Sequence, residues 1–162
     1  MKALLWTLLA LSSAVGAQSS DETRIDLTGK LIAPPCTPRF PSTQEVNLGA
    51  VNLNQLADDS TAATEVPLVF ECQAGSQVSL TLAAGQGSFG THTLLTSRPG
   101  LGLRLELLNR NVKAELSLGE TGTWPVTNQP LELTLQVKPV SVGSLPDAGS
   151  YSALLLMQIT YR

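Results

Sequence analysis

The 162-residue sequence holds one histidine, two cysteines, two tryptophans and two tyrosines. Structural zinc takes about four nitrogen or sulfur ligands, so one histidine and two cysteines cannot build a typical zinc site. A lone His92 has no serine or cysteine nucleophile in an elbow motif beside it, and a catalytic base needs such a nucleophile and an orienting third group. Basic clusters are missing and the formal net charge is -3, which argues against nucleic acid as a partner. Charged residues make up only 14% against 43% hydrophobic, too little charge for a disordered chain and enough apolar surface for one core. No apolar run is long enough to span a bilayer, so membrane insertion is not expected. No convincing amphipathic helix is present beyond one short helical turn within Leu53–Ala63. No residue set calls for a cofactor.

What is there begins with an export signal. Lys2 precedes the apolar stretch Ala3–Leu11, and Val15-Gly16-Ala17 offers small or modest side chains before a cut, so residues 1–17 read as a signal peptide. The mature chain would start at Gln18. An oxidising compartment makes a Cys36–Cys72 disulfide the default for the single pair, closing a loop worth about 4 kcal/mol in the chain-entropy model.

Period-2 alternation dominates the rest. Leu131, Leu133, Leu135 and Val137 alternate with Glu132, Thr134, Gln136 and Lys138, a strand with one wet face. Val78, Leu80 and Leu82 form another, and Val66–Cys72, Glu45–Leu48 and Leu101–Leu108 are further strands. In the C-terminal run, Tyr151, Ala153, Leu155, Met157, Ile159 and Tyr161 share one face. Leu154 and Leu156 on the opposite face predict burial there too. Glycine-rich turns separate these runs. About seven strands, one cysteine pair and an export signal imply an all-β, immunoglobulin-like sandwich.

Several motifs are weaker than they look. Gly85-Gln86-Gly87-Ser88-Phe89-Gly90 matches a dinucleotide fingerprint, but no helix follows to hold a pyrophosphate, so it reads as a turn. Asp58-Asp59 could flank a glycosidic bond but reads as a solvated or helix-capping turn. Trp124 could stack on a sugar, yet a lone tryptophan in a sandwich is more often packing. It anchors the alternative function, a secreted β-sandwich that binds a glycan or small ligand.

The unusual feature is at the two ends. Ile25, Leu27, Gly29, Leu31 and Ala33 alternate with Asp26, Thr28 and Lys30 after a polar start, while the C-terminal run has a strongly apolar face and no later strand to pair with it. Gly29-Lys30-Leu31-Ile32-Ala33-Pro34-Pro35-Cys36, Phe70-Glu71-Cys72, Gly100–Leu105, Ala148-Gly149-Ser150-Tyr151 and Ile159-Thr160-Tyr161-Arg162 occur in that order. Together they resemble the subunits of chaperone–usher pili, and most closely their minor tip-fibrillum or adaptor subunits, without the extra receptor-binding domain of tip adhesins.

The resemblance implies a sandwich that lacks its last strand, with residues 18–33 as a donor-strand extension and 34–162 as the pilin domain. It implies donor residues Ile25, Leu27, Gly29 and Leu31. It implies an acceptor groove lined by Ala153, Leu155, Met157, Ile159 and Tyr161. The implied partners are a periplasmic pilus chaperone, an outer-membrane usher and neighbouring pilins. The implied role is a structural, non-enzymatic subunit of a cell-surface fimbria that supports adhesion.

Overall fold

The computed structural model describes residues 24–162. The expected signal peptide, and the first residues of the expected extension, lie outside the described residues. The chain divides into two units, one reaching Ile32 and one spanning Ala33–Arg162. In the first, residues 24–32 form no helix or strand, and Ile25, Leu27 and Leu31 are all exposed.

The regular structure of the second unit is antiparallel strand apart from one short helix. In order these are β1 (Cys36–Pro38), the five-residue helix α1 (Leu53–Ala57), β2 (Thr64–Cys72), β3 (Gln77–Ala84), β4 (Ser88–Phe89) and β5 (Thr93–Leu95). Then come β6 (Leu101–Asn109), β7 (Val112–Ala114), β8 (Thr121–Pro125), β9 (Leu131–Ser141) and β10 (Leu155–Tyr161). A large sheet runs β1-β2-β9-β6-β5-β4, with β7 also paired to β6, and a small sheet runs β10-β3-β8. The expected all-β sandwich is thus the observed fold.

Alternation dictates which face is buried. Leu131, Leu133, Leu135 and Val137 of β9 point inward beside Val66, Leu68 and Phe70 of β2 and Leu103, Leu105 and Leu107 of β6. Val78, Leu80 and Leu82 of β3 close the core from the small sheet. Phe70, Val78 and Leu80 have no exposed surface at all. Two prolines fit inside strands because each sits where one flank is unpaired. Pro67 pairs with Thr134 on one side, while β1 reaches only Phe70 on the other. Pro139 pairs with Leu103, and β2 stops at the Thr64–Val137 pair. The carbonyl of Pro139 is satisfied by the buried Thr61 hydroxyl, 2.6 Å away.

The Cys36–Cys72 disulfide is formed, joining directly opposed residues of β1 and β2. The edge-on stack of Phe40 on Phe70, with centroids 5.2 Å apart, and an Arg39–Glu71 ion pair extend that tie.

Two expectations need correction. Leu154 and Leu156 are 51% and 53% exposed, not buried. The small sheet has core on one face only, so the outward half of the C-terminal pattern meets solvent. Glu45–Leu48 is not a strand, because it has no hydrogen-bonded neighbour on either side.

Candidate functional site

β10 is an edge strand. It pairs with β3 from the Leu155–Ala84 to the Tyr161–Val78 position, and its other edge carries no strand among the described residues. On its inner face Leu155, Met157, Ile159 and Tyr161 are only half-buried, and Ala153 just before it is the same. The inner faces of β2, β3, β6 and β9 are nearly all fully buried by contrast. The difference arises because a strip of core beside β10 is uncovered.

That strip is a groove of about 1520 Å³. Leu155, Met157 and Ile159 form one wall; Val66, Leu68, Leu94, Leu103, Leu105, Leu135 and Val137 of the large sheet form the floor; the irregular segment 41–51 forms the other wall. Small-molecule sites run to about 300–1,000 Å³, so the space exceeds that class. β10 turns an unpaired strand edge toward this space, and the 41–51 segment belongs to no strand. Seven residues of β10 extend about 23 Å at the usual rise per residue. The shape and the open edge suit an added strand.

Of the five expected groove residues, Ala153, Leu155, Met157 and Ile159 line it together. Tyr161 does not. Its ring packs against Phe70 with centroids 6.4 Å apart, at the end of the core, where burial pushes its hydroxyl pKa up. The second wall was missed as a wall, although the Glu45–Leu48 alternation marked an extended segment. The floor was legible only as core. Tyr151 was read as one more inward residue of the last strand. Its hydroxyl is buried without a hydrogen-bond partner at the groove's end, and desolvation raises its pKa.

The expected donor residues Ile25, Leu27, Gly29 and Leu31 lie in the first unit, in chain that forms no helix or strand. The other singled-out residues are structural. Gly85–Gly90 is the turn from β3 to β5, with β4 inside it and positive φ at Gly87 and Gly90. His92 Nδ1 meets only the hydroxyl of Thr91, at 2.8 Å. Trp124 lies on the inner face of β8 opposite Val78 and packs against the core, with its ring over Gly122. It is packing, not a stacking platform.

Asp58 caps α1 at its C-terminus, and Asp59 follows at φ 52°. The Asp59 carboxylate is 3.2 Å from Arg104 and 3.3 Å from Lys138, while Lys138 also donates to the Asp59 carbonyl at 2.6 Å. Hydrogen bonds from Arg104 first and Lys138 second hold its pKa below the usual range. This cluster ties the turn after α1 to the outer face of β6 and β9.

No curated protein matches the chain by sequence. Among solved structures, the P pilus rod subunit PapA is similar at a TM-score of 0.59 and 17% identity, over 79% of this chain and 99% of that one. The P pilus adaptor subunit PapF gives 0.56 and 19%, over 80% and 97%. A chain from a chaperone–usher pilus gives 0.57 and 14%, over 91% and 100%. These likenesses establish the sandwich fold. The family model described as fimbrial protein matches residues 25–162, nearly the whole of the chain, and the chain belongs to that family.

Proposed function

We propose that this fimbrial subunit joins its fibre by strand exchange, taking a neighbour's strand into the groove beside β10 and donating its own residues 18–33 to the next subunit. The observation that carries this reading is the groove itself: an apolar floor between the unpaired edge of β10 and a segment that belongs to no strand. An inserted strand would pair with β10 on one side and with the segment around Glu45–Leu48 on the other, and its alternate side chains would fill the floor. Each aliphatic side chain fully buried there is worth about 1.5–3 kcal/mol. Ile25, Leu27 and Leu31 supply such side chains from the donating segment, and Gly29 supplies a place for close approach. Residues 34–162 form the accepting body in this reading, and residues 1–17 direct export.

An open apolar edge is an aggregation hazard until it is covered. A periplasmic chaperone that lends a strand, and an outer-membrane usher at which the neighbour replaces it, answer that hazard. The subunit's work is then assembly at the cell surface in support of adhesion, not turnover.

The test is replacement of inward against outward residues of β10. Ile159→Asp or Leu155→Asp should abolish chaperone capture and incorporation, since an unpaired charge would enter the apolar groove. Gln158→Glu, on the outer face, should be tolerated. Equal behaviour of both kinds of variant overturns the reading.

A further inference from the structure

The strand pattern of the C-terminal run and the strand itself do not begin at the same residue. Half-burial and exposure alternate without a break from Tyr151 to Tyr161, yet β10 starts only at Leu155. The groove runs beside the whole of that stretch, since Tyr151, Ser152 and Leu154 line it as well as Ala153. What ends at Leu155 is the neighbour. The pairing of β10 with β3 keeps one register, in which Arg162 bonds Gln77 and the Leu154 carbonyl accepts from Gly85 at 2.8 Å. The next rung would set Ser152 opposite Gly87. The chain has turned away there, and the Gly87 carbonyl accepts instead from Leu95 at 3.0 Å.

Ser97, in the turn between β5 and β6, stands in that place. Its N–H donates to the Ser152 carbonyl at 2.8 Å, and its hydroxyl oxygen accepts from the Ser152 N–H at 3.0 Å. A side-chain oxygen thus supplies the acceptor that the missing strand residue would supply from its main chain. Just upstream the chain bends at Gly149, φ 150°, where the Arg98 guanidinium occupies the place of a Cβ.

In an antiparallel pair, residues that bond to the partner alternate with residues whose N–H and C=O point away from it. Ser152, Leu154 and Arg162 bond toward Ser97 and β3, so the residues between them turn their main-chain groups to the open edge. Within β10 these are Leu155, Met157, Ile159 and Tyr161. With Ser152 held in the same phase, Tyr151 and Ala153 join them. At the usual rise per residue the open edge extends about 36 Å rather than about 23 Å.

We propose that Ser97 is a positioning residue for strand uptake: taking the place of β3 beside Ser152, it holds Tyr151–Leu154 as a continuation of the acceptor edge, so that a strand in the groove pairs as far as Tyr151. This rests on the strand-exchange reading and says where its pairing ends.

The experiment uses fibres carrying the full chain, made in the host that assembles them. Hydrogen–deuterium exchange is read residue by residue, by mass spectrometry with electron-transfer fragmentation. In the unaltered chain the amides of Tyr151 and Ala153 should be protected in the fibre alongside those of Met157 and Ile159. Ser97→Ala keeps the main-chain bond to Ser152 and removes only the hydroxyl acceptor. It should speed exchange at Tyr151 and Ala153 about three- to tenfold, the scale of one net hydrogen bond, and leave Met157 and Ile159 within about twofold. Ser97→Thr, which keeps a hydroxyl, should restore protection. Exchange raised equally along β3 and β10 in Ser97→Ala marks a merely structural role and overturns the proposal, as does an unchanged pattern. Free exchange at Tyr151 and Ala153 in unaltered fibres, with Met157 and Ile159 protected, ends the ladder at Leu155; the proposal is then overturned while strand exchange stands. If Met157 and Ile159 are unprotected in the fibre as well, strand exchange and the proposal fall together.

Discussion

At the residue scale, a Cβ added to Gly102 would lie 2.6 Å from the Thr93 methyl, 2.7 Å from a Val142 methyl and 3.2 Å from the Leu94 carbonyl oxygen. The glycine lets β5 and the stretch after β9 close on β6 at the same point. Gly102→Ala should therefore cost about 1–3 kcal/mol, as overpacking does, seen as a lower urea midpoint with an unchanged slope.

The disulfide is the second sensitive position. β1 has three residues and one neighbour, so Cys36→Ser should lose about 2–5 kcal/mol and most of the periplasmic yield. Asp59 makes the third prediction. Its folded pKa is lowered by Arg104 and Lys138, so its contribution is present above the unfolded carboxylate pKa and is lost as pH falls through the folded one. Glu71 behaves likewise through Arg39. Thermal stability should fall on acidification below the ordinary carboxylate range, and Asp59→Asn should shallow that fall. A melting series across pH on both proteins checks it.

At the element scale, the two walls of the groove differ in what holds them. β10 is laddered to β3 along its whole length, whereas the segment around Glu45–Leu48 has no ladder and is tied mainly beyond its two ends. Val46→Asp should therefore leave the urea midpoint nearly unchanged while slowing strand uptake at least tenfold, measured as chaperone replacement by a donor strand. How far elements were legible follows from their length and their neighbours. β9 and β3 show clean alternation against one core and are plain in the sequence. β4, β5 and β7 have two or three residues, too few for any period to register. Glu45–Leu48 alternates like a strand, but only Leu48 packs against the core and Val46 is exposed, and no strand pairs with it, which no local pattern encodes. The leucines on both faces of β10 imitate a doubly covered strand, and they misled for the same reason: covering layers are a property of the assembly, not of the segment. The shared inward face of Ala153, Leu155, Met157, Ile159 and Tyr161 was nonetheless legible, because inward parity along β10 needs only period two. The contact of Tyr161 with Phe70 was not, since parity fixes a face but not what each residue on it meets.

At the scale of the whole molecule, β9 is the seam of the large sheet, paired to β2 on one flank and β6 on the other along most of its length. Its partner residues in β2 are far away in sequence, as in Phe70 with Leu131 and Thr64 with Val137. The small sheet joins β3 to β10 across a similar span. Nothing near the start of the body can complete its pairing until chain far downstream is available, and closing such loops is entropically unfavourable before any contact repays it. Refolding from denaturant should consequently take milliseconds to seconds or longer, with yield falling as protein concentration rises. Stopped-flow fluorescence of Trp124, repeated over a dilution series, reads both quantities. If the chain crosses a membrane end-first, as the proposed subunit would, the order of arrival then matters: β2, with only β1 beside it, and β3 would reach the far side first and wait there for β9 and β10.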